Sequence, residues 1–530
     1  MFKLRQLVRG ILSNWVALVL SAAISFLLSP IVVARLGGVG YGVWTLINSM
    51  VAYIGLLDLG LRGAVTRYMA RDYATGNHSS SSETLQAAIW VRIWIALAAI
   101  SISSILAVVS GKLFHIPADL QRTAQIAIVL CGSSLAVALL SGVFAAVLAA
   151  LHRFDLISVV TMCHAIARAT GTVFLLRSGH GIAALAVWEL SVTLLSGTAL
   201  VILSRKSYPQ LRISLGWPKR EVLRSLWTYS SYAFIINITV QIIYYTDNLV
   251  VGAFVSAAAV AVYAIGGGIV EILRNINSSL TATFAPVASN FEAHRQYDRL
   301  RQLLRQGTRC SLLITLPIAT ALYFRGSTFI GLWMGAQYAV PSGRIIKILL
   351  LAQMFAIANA TAGNIVYGLD KHKRVVPWAC AEAACNLLFS ILLVHRIGVE
   401  GVAWGTVIAS WIVHLVFWPY YISRILSISV IGHIWQTWIR SGIAAIPFAI
   451  ACYVTDRLFG PSNLLQFFVQ ILAILPLFLL GVLLVFWKDA LELLQQRFQF
   501  LRPQRELAGT QMTGEMDSGV TPEADLINIQ

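Results

Sequence analysis

Long runs of apolar residues dominate the chain, and short polar segments separate them. Windows of about 20 apolar residues, the length that a helix needs to cross roughly 30 Å of hydrocarbon, recur from residue 12 to residue 487. Lipid offers no water to an exposed backbone, and a barrel would show alternating strands of about ten residues, so these runs predict helices. The pattern predicts fourteen membrane-spanning helices, at residues 12–34, 40–61, 87–111, 123–147, 155–176, 182–204, 226–250, 255–283, 309–324, 345–367, 376–395, 402–423, 439–456 and 465–487.

Two parts of the chain resemble each other, which predicts an internal repeat. The stretch SPIVVARLGGVGYGVWTL at 29–46 is echoed by TDNLVVGAFVSAAAVAVYAIG at 246–266, with Tyr41 matching Tyr263. GIAALAVWEL at 181–190 likewise matches GVEGVAWGT at 398–406, with Trp188 matching Trp404. An even number of helices in each repeat gives both halves the same orientation, so the predicted pseudo-two-fold axis lies along the membrane normal.

The repeat divides the predicted protein into four regions. A six-helix half with its following cytoplasmic loop covers residues 1–225, and a second six-helix half covers residues 226–430. Two additional transmembrane helices occupy residues 431–490, and a mostly disordered cytoplasmic tail covers residues 491–530. The predicted fold is an all-α polytopic membrane protein whose parallel halves enclose a cavity, the usual plan of a secondary transporter.

Composition and charge agree with this plan. The chain is 58% hydrophobic and only 12% charged. If the N-terminus is cytoplasmic, 28 of the 39 lysines and arginines fall in inside segments and 9 in outside segments, which places both termini in the cytoplasm. The remaining two, Arg92 and Arg168, lie within predicted spans. The net charge of +17 therefore reflects topology and contact with anionic membrane lipids, not nucleic-acid binding.

The sequence gives no sign of enzymatic chemistry. All six cysteines fall within predicted helices without a paired motif, so neither disulfides nor a metal site is expected. No HExxH, GxSxG or phosphate-binding glycine loop occurs. The longest predicted outside loop, 325–344, is too short for a catalytic domain. We therefore expect no enzyme activity and no cofactor apart from a coupling ion, sodium or a proton.

Arg168 lies in the middle of the apolar run 156–176 and needs compensation. A charge at the bilayer centre costs at least roughly 2.5–3.5 kcal/mol. At 100° per residue one polar face of about 120° forms around it. The members of this face are Ser158, Thr161, His164, Arg168 and Thr172. Two alternatives stay open: a packing seam in which Arg168 pairs with a buried carboxylate, and a cavity site for an anion that includes His164.

The seventh predicted helix carries a second polar face. Its members, within about 60° of one another, are Ser230, Asn237, Gln241, Tyr244 and Asn248. Amides and phenols suit sugar hydroxyls and ring faces, and they also serve as hydrogen bonds between helices. Asp247, at the outer end of this helix, is expected to reach the membrane interface. Arg92, between two tryptophans of the third helix, is expected either to extend to the cytoplasmic interface or to line the cavity.

Buried acidic residues are candidates for binding a coupling ion. These candidates are Glu189, Asp247, Glu271 and Glu382, with His414 as a further titratable group. Glu271 and Arg274 are three residues apart, so a local ion pair is as much expected as a substrate contact. Asp58 and Arg62, four residues apart at the inner end of the second helix, predict an ion pair that belongs to a cytoplasmic gate.

One stretch near the N-terminus resembles a known family. RLGGVGYGVWTLINSMVAYIGLLDLGLRGAVTRYMAR, at 35–71, is similar to the signature of the polysaccharide transporter (Wzx-type oligosaccharide flippase) family of the multidrug/oligosaccharidyl-lipid/polysaccharide exporter superfamily. DNLVVG at 247–252 and GLDKHKR at 368–374 resemble its second-half motifs. The peptidoglycan-precursor flippases of this superfamily carry cationic residues in their first helix, whereas residues 12–34 here carry no charge.

The resemblance implies a function. A flippase of this family turns a polyprenyl-diphosphate-linked oligosaccharide from the inner to the outer leaflet of the bacterial inner membrane, for lipopolysaccharide, surface polysaccharide or exopolysaccharide synthesis. It implies a diphosphate as a partner for Arg168, which an arginine binds through paired hydrogen bonds. Other polysaccharide assembly proteins are further partners of such a flippase. A cation-coupled multidrug exporter and a membrane polysaccharide polymerase or ligase are the alternatives. The last two helices would either form a groove for the polyprenyl chain or anchor the bundle.

Overall fold

A computed structural model describes residues 4–58, 60–212 and 216–501, and this part of the chain is all-helical. Within it, side chains are described at all positions except 4–15, 18–19, 225–237, 239–240, 244, 488 and 490–501. Its first half contains α1 (Leu4–Ile54), α2 (Leu61–Ala74), α3 (His78–Leu113), α4 (Ala118–Ala150), α5 (Phe154–Arg177) and α6 (Ile182–Ser207). The second half contains α7 (Arg220–Phe254), α8 (Ala257–Thr281), α9 (Phe284–Ala293), α10 (Tyr297–Met334), α11 (Ala336–Gly368), α12 (Val376–Ile397), α13 (Val399–Trp411) and α14 (Trp418–Leu426). The last helices are α15 (Val430–Ile434), α16 (Arg440–Leu458) and α17 (Leu464–Leu501). Short π-helical segments, Ile412–Phe417 and Trp435–Ile439, join α13 to α14 and α15 to α16.

The first helix is broken at Gly37. Its φ of 69° and ψ of 170° lie outside the helical region, and glycine adopts them without a Cβ clash. Val32, before the break, and Trp44, after it, pack in one small cluster with Leu176. The chain therefore folds back at Gly37, and this break lies between the first two predicted spans.

Twelve helices in the described part of the chain are long and apolar enough to cross a membrane. One of these, Leu20–Ala74, contains the break at Gly37, and α7, with 35 residues, is not among the twelve. The protein is thus an all-α, multi-pass membrane protein, and the predicted fold class is confirmed. The number of fourteen spans, the division into four regions and the cytoplasmic termini stay predictions.

The predicted loop 325–344 is wrong. Helix α10 continues to Met334 and α11 begins at Ala336, so a single residue, Gly335, makes the turn with a φ of 113°. Arg325, predicted outside, is fully buried: its NH2 donates to Gln470 Oε1 at 2.6 Å, and its Nε lies 3.5 Å from Asp456 Oδ1. The hydropathy pattern predicts too early an end for this helix, because Arg325 is charged and its partners lie in helices that are distant in sequence.

The last two long helices are tied to α10 at a second place. Arg309 of α10 and Arg440 of α16 both bond the carboxylate of Asp489 in α17, at 2.6 and 3.1 Å. Both guanidinium groups also lie within 5 Å of the ring centre of Phe486. Helix α17 continues to Leu501, into the region predicted as tail, whereas the predicted disorder after residue 501 lies outside the described residues.

The two halves close tightly at the end where α1 folds back. A Cβ atom on Gly42 would collide with the backbone carbonyl of Ala257, so α1 and α8 approach as closely as a glycine permits. In addition, the backbone amide of His115 donates to the carbonyl of Gly252 at 3.1 Å. These contacts seal this end, and the space between the halves lies deeper in the bundle.

Candidate functional site

A polar cavity of about 340 Å³ lies between the two halves. Its walls come from α1 after the break and from α7, α8, α11 and α13, so both repeats contribute. Tyr41 and Tyr263, which the repeat matches in sequence, both line it. Its other polar lining residues are Thr45, Asn48, Ser49, Tyr245, Asp247, Asn248, Glu271, Arg274, Gln353 and Thr406. Phenols, amides and hydroxyls of this kind suit a ligand rich in hydroxyl groups.

Glu271 and Arg274 place an ion pair in the cavity wall. Arg274 NH2 lies 3.0 Å from Glu271 Oε1, which confirms the local pairing that their spacing indicates. Both residues line the cavity, so the local pair and a substrate contact do not exclude each other.

Asp247 is buried beside the cavity, where it contacts α8 and α13. The expectation that it reaches the membrane interface is therefore wrong. Its side chain is 5% exposed. The Tyr263 hydroxyl donates to Asp247 Oδ2, and Thr406 Oγ1 donates to the same oxygen at 2.8 Å. Asn386 Nδ2 donates in turn to Thr406 Oγ1 at 2.9 Å. Three helices thus hold the carboxylate in place.

This cluster has acceptors without donors. Asp247 Oδ1 and Asn386 Oδ1 are buried and have no hydrogen-bond partner among the described residues. Buried acceptors without a partner are costly, and oxygen ligands suit hard cations. Over the described ranges no three His, Cys, Asp or Glu side chains form a group that could hold a metal ion.

Arg168 faces a carboxylate within the first half. Its Nε lies 2.9 Å from Glu189 Oε2 of α6, and His164 Nε2 lies 3.9 Å from Glu189 Oε1. His164 Nδ1 also lies 3.2 Å from Ser196 Oγ. The carboxylate partner that the packing alternative requires is therefore Glu189. None of these residues lines the cavity between the halves.

Arg92 is buried, so its expected extension to the cytoplasmic interface is wrong. It is 2% exposed, and its NH2 donates to Asp58. In the part of the chain that the structure describes, Asp58 does not form the predicted pair with Arg62. Asp58 ends a 3-10 turn and α2 begins only at Leu61, so the four-residue spacing of a continuous helix does not apply. The gate role of Asp58 and Arg62 stays a prediction.

The remaining candidates make helix contacts. Gln241 Nε2 donates to the carbonyl of Ala52, and Asn248 Nδ2 donates to Ser49 Oγ at 3.1 Å, so both join α7 to α1. The side chains of Asn237 and Tyr244 lie outside the described residues. Glu382 of α12 is buried, with its Oε1 3.5 Å from His414 Nε2 in the π-helical segment.

A second cavity, of about 420 Å³, is almost entirely apolar. It lies between α1, α8, α10, α16 and α17. Its aromatic lining residues are Phe26, Phe329, Phe448, Phe467 and Phe468. Helix α8 borders both cavities: Gly268, Glu271 and Arg274 line the polar one, whereas Ile269, Ile272 and Ile276 line the apolar one. One helix therefore separates a polar site from an apolar site.

The fold is shared with membrane transporters of known structure. The fold resembles the inward closed conformation of the lipid II flippase MurJ, with a TM-score of 0.72 at 16% identity over 91% of this chain and all of that one. It also resembles an inward-facing multidrug resistance transporter of the MATE family, with a TM-score of 0.65 at 13% identity over 76% of this chain and 94% of that one.

The chain belongs to the polysaccharide biosynthesis protein family, which residues 32–342 match. A relative from Haloferax volcanii, the probable low-salt glycan biosynthesis flippase Agl15, is 22% identical over 88% of this chain and 93% of its own length. A putative O-antigen transporter from Shigella flexneri is 21% identical over 69% of this chain and 86% of its own length. The family predicted from the sequence is confirmed.

Proposed function

We propose that this protein is a flippase that moves a polyprenyl-diphosphate-linked oligosaccharide from the inner to the outer leaflet of a bacterial inner membrane, for surface polysaccharide or exopolysaccharide synthesis. The cavity between the halves is the observation that carries this proposal. It is lined by both repeats, it is rich in hydroxyl, phenol and amide groups, and Arg274 is the arginine among its described lining residues. The names of the relatives, a flippase and an O-antigen transporter, support a transporter and not an enzyme.

Arg274 is the residue that would bind the diphosphate. Its guanidinium lines the cavity, and an arginine binds phosphate oxygens through paired, charge-assisted hydrogen bonds. Glu271 would hold the guanidinium in position at 3.0 Å until the substrate enters. The tyrosines and amides around it, with Tyr41 and Tyr263 from opposite halves, would contact the sugars.

The apolar cavity would hold part of the polyprenyl chain. Its lining is almost entirely apolar, so lipid hydrocarbon would fit it better than water. An amphipathic lipid could place its head on the polar face of α8 and its chain on the apolar face. Filling the cavity with Ile471→Trp should then reduce export on a full-length carrier more than on a short-chain carrier, in vesicles. Equal loss with both carriers would reject this role.

Asp247, Asn386 and Thr406 are the residues that would hold a coupling cation, sodium or a proton. A bound cation neutralises the carboxylate in the membrane core. Thr406 and Tyr263 fix the position of Asp247 Oδ2, which leaves Oδ1 for the ion. Because Tyr263 and Asp247 also line the cavity, the same groups adjoin the substrate site.

The test is Arg274→Ala, with Arg274→Lys and a matched control. Loss of a charge-assisted bond costs about 1.5–3 kcal/mol, so we expect surface polymer to fall roughly tenfold to hundredfold. Lysine should rescue only in part, because the planar fork is lost. Arg344 forms a similar pair with Glu400 at 3.1 Å but is exposed and outside the cavity, so Arg344→Ala should export normally.

The accumulated glycan distinguishes the alternatives. Mass spectrometry should find single lipid-linked units trapped inside Arg274→Ala cells. Single units displayed outside would indicate a polymerase instead. Normal export from Arg274→Ala cells at normal protein level would overturn the assignment of the diphosphate site.

A further inference from the structure

The polar cavity between the halves starts at the sealed end of the bundle. Gly42 of α1 meets Ala257 of α8 at this end. Tyr41 and Thr45, on either side of Gly42 in the sequence, line the cavity here. Helix α8 starts at Ala257, so Arg274, seventeen residues later, lies about 25 Å from the seal along the helix axis. The cavity is therefore elongated, with hydroxyl groups at one end and a guanidinium at the other.

Gln353 of α11 lies at the same end of the cavity as Arg274. Helices α8 and α11 both run away from the sealed end, and a Cβ atom on Gly266 of α8 would lie 3.0 Å from Ile345 Cβ of α11. Arg274 and Gln353 each follow eight residues later, so they share one level of the bundle. Among the described lining residues, these two lie farthest from the seal.

The amide of Gln353 is available to a ligand. Its side chain lines the cavity, is half-buried and forms no hydrogen bond with a described residue. The asparagines of the cavity differ in this respect. Asn48 Nδ2 donates to the carbonyl of Trp44 at 2.7 Å, and Asn248 Nδ2 donates to Ser49 Oγ at 3.1 Å. A free amide offers both a donor and an acceptor, and a sugar hydroxyl can use either.

The apolar cavity determines the direction in which a lipid-linked ligand lies. Ile272 and Ile276, on either side of Arg274 in α8, line the apolar cavity. A lipid chain joined to a diphosphate on Arg274 therefore has an apolar site beside this end of the polar cavity. The polar lining continues from Arg274 only toward the seal, so the sugars of the same ligand extend in that direction.

We propose that the lipid-linked glycan lies in this cavity with its diphosphate at Arg274 and its terminal sugar at the seal. Gln353 then selects the sugar that is joined to the diphosphate, whereas Tyr41 and Thr45 select the terminal sugar. For the diphosphate at Arg274 this inference rests on the proposed function. It adds the direction of the glycan and assigns the choice of its first and last sugars to opposite ends of the cavity.

Binding of two carriers to the purified full-length protein tests this orientation. One carrier is the lipid-linked glycan extracted from the producing cells, and the other is the same lipid after exoglycosidases have trimmed it to the sugar next to the diphosphate. Gln353→Leu should weaken binding of both carriers roughly fivefold, because one neutral hydrogen bond is lost. Tyr41→Phe with Thr45→Val should weaken binding of the full glycan alone. Gln302→Leu, on the exposed surface of α10, is the matched control and should bind both carriers normally.

The opposite pattern would overturn the inference: Gln353→Leu would then affect only the full glycan, and the variant of Tyr41 and Thr45 would affect both carriers. Equal effects of the two variants on both carriers, or no effect of either, would also overturn it. Arg274→Ala separates this result from a failure of the proposed function, because it should weaken binding of both carriers. If Arg274→Ala binds both carriers normally, the diphosphate site itself is wrong. If it weakens both but the other variants do not follow the expected pattern, only the orientation is wrong.

Discussion

Replacing Asp456 by alanine should destabilise the attachment of the last two long helices. Arg325 is fully buried in α10, and Asp456 of α16 is the carboxylate that compensates its charge, at 3.5 Å. Removing one partner of a buried ion pair costs about 3–5 kcal/mol, because the other charge stays buried without compensation. Asp456 is 29% exposed and Gln470 still accepts from Arg325, so we expect about 3 kcal/mol, the lower end of that range.

The double variant Arg325→Met with Asp456→Ala provides the control. It removes both charges, and a buried pair replaced by apolar residues is often neutral for stability. Thermal unfolding of the purified protein, followed by size-exclusion chromatography, should therefore show a clear loss for Asp456→Ala and recovery in the double variant. An Asp456→Ala protein as stable as the natural one would refute the argument. So would a double variant that is less stable than the single one.

The ion pairs between α10 and the last helices also determine what a truncation would do. A truncation after about residue 430 would leave Arg325 without Asp456 and Arg309 without Asp489. Arg325, which is fully buried, and Arg309, which is 15% exposed, would then lack carboxylates. We expect such a truncation to fold poorly, so loss of transport in it would not measure the transport role of α16 and α17. Point variants inside the apolar cavity are the better test.

Two further predictions concern the ends of the cavity. Gly42→Val should prevent the close approach of the halves and so raise the labelling of a cysteine at Thr45 by an impermeant reagent added from the outer side. Gly142→Val, which has open space around it, should leave this labelling unchanged. Unchanged labelling in Gly42→Val would count against the seal. Asp58→Asn should alter cysteine accessibility from the cytoplasmic side, because it leaves Arg92 buried without a carboxylate. Adding Arg92→Gln should reverse this change. The same accessibility in Asp58→Asn and in the double variant would argue against a gate.

The sequence predicted those features that depend on local periodicity. Apolar runs predicted helices, and three-residue spacing predicted a Glu271–Arg274 pair beside the alternative of a substrate contact. The internal repeat predicted two halves around a cavity, and its matched residues Tyr41 and Tyr263 both line the polar cavity. The helices and the ion pair depend on spacing within one helix, and the shared cavity depends on the internal repeat.

The errors concern charged groups whose partners lie in other helices. Asp247 looked exposed because its donors, Tyr263 and Thr406, lie in other helices. Arg325 looked like a loop residue for the same reason, since Gln470 and Asp456 lie more than a hundred residues on. Hydropathy counts a charge as a cost and cannot include a partner whose position depends on the packing of the whole bundle.

The turns at the end where α1 folds back are as short as a chain allows. Single glycines, Gly335 and Gly398, join α10 to α11 and α12 to α13, and both have positive φ. In many proteins new specificity arises by insertion and variation in surface loops. Here an inserted segment would have to separate two helices that are already packed against each other. Members of this family that carry different sugars should therefore have diverged at helix positions lining the cavity, such as Asn48 and Gln353, and kept these turns unchanged in length.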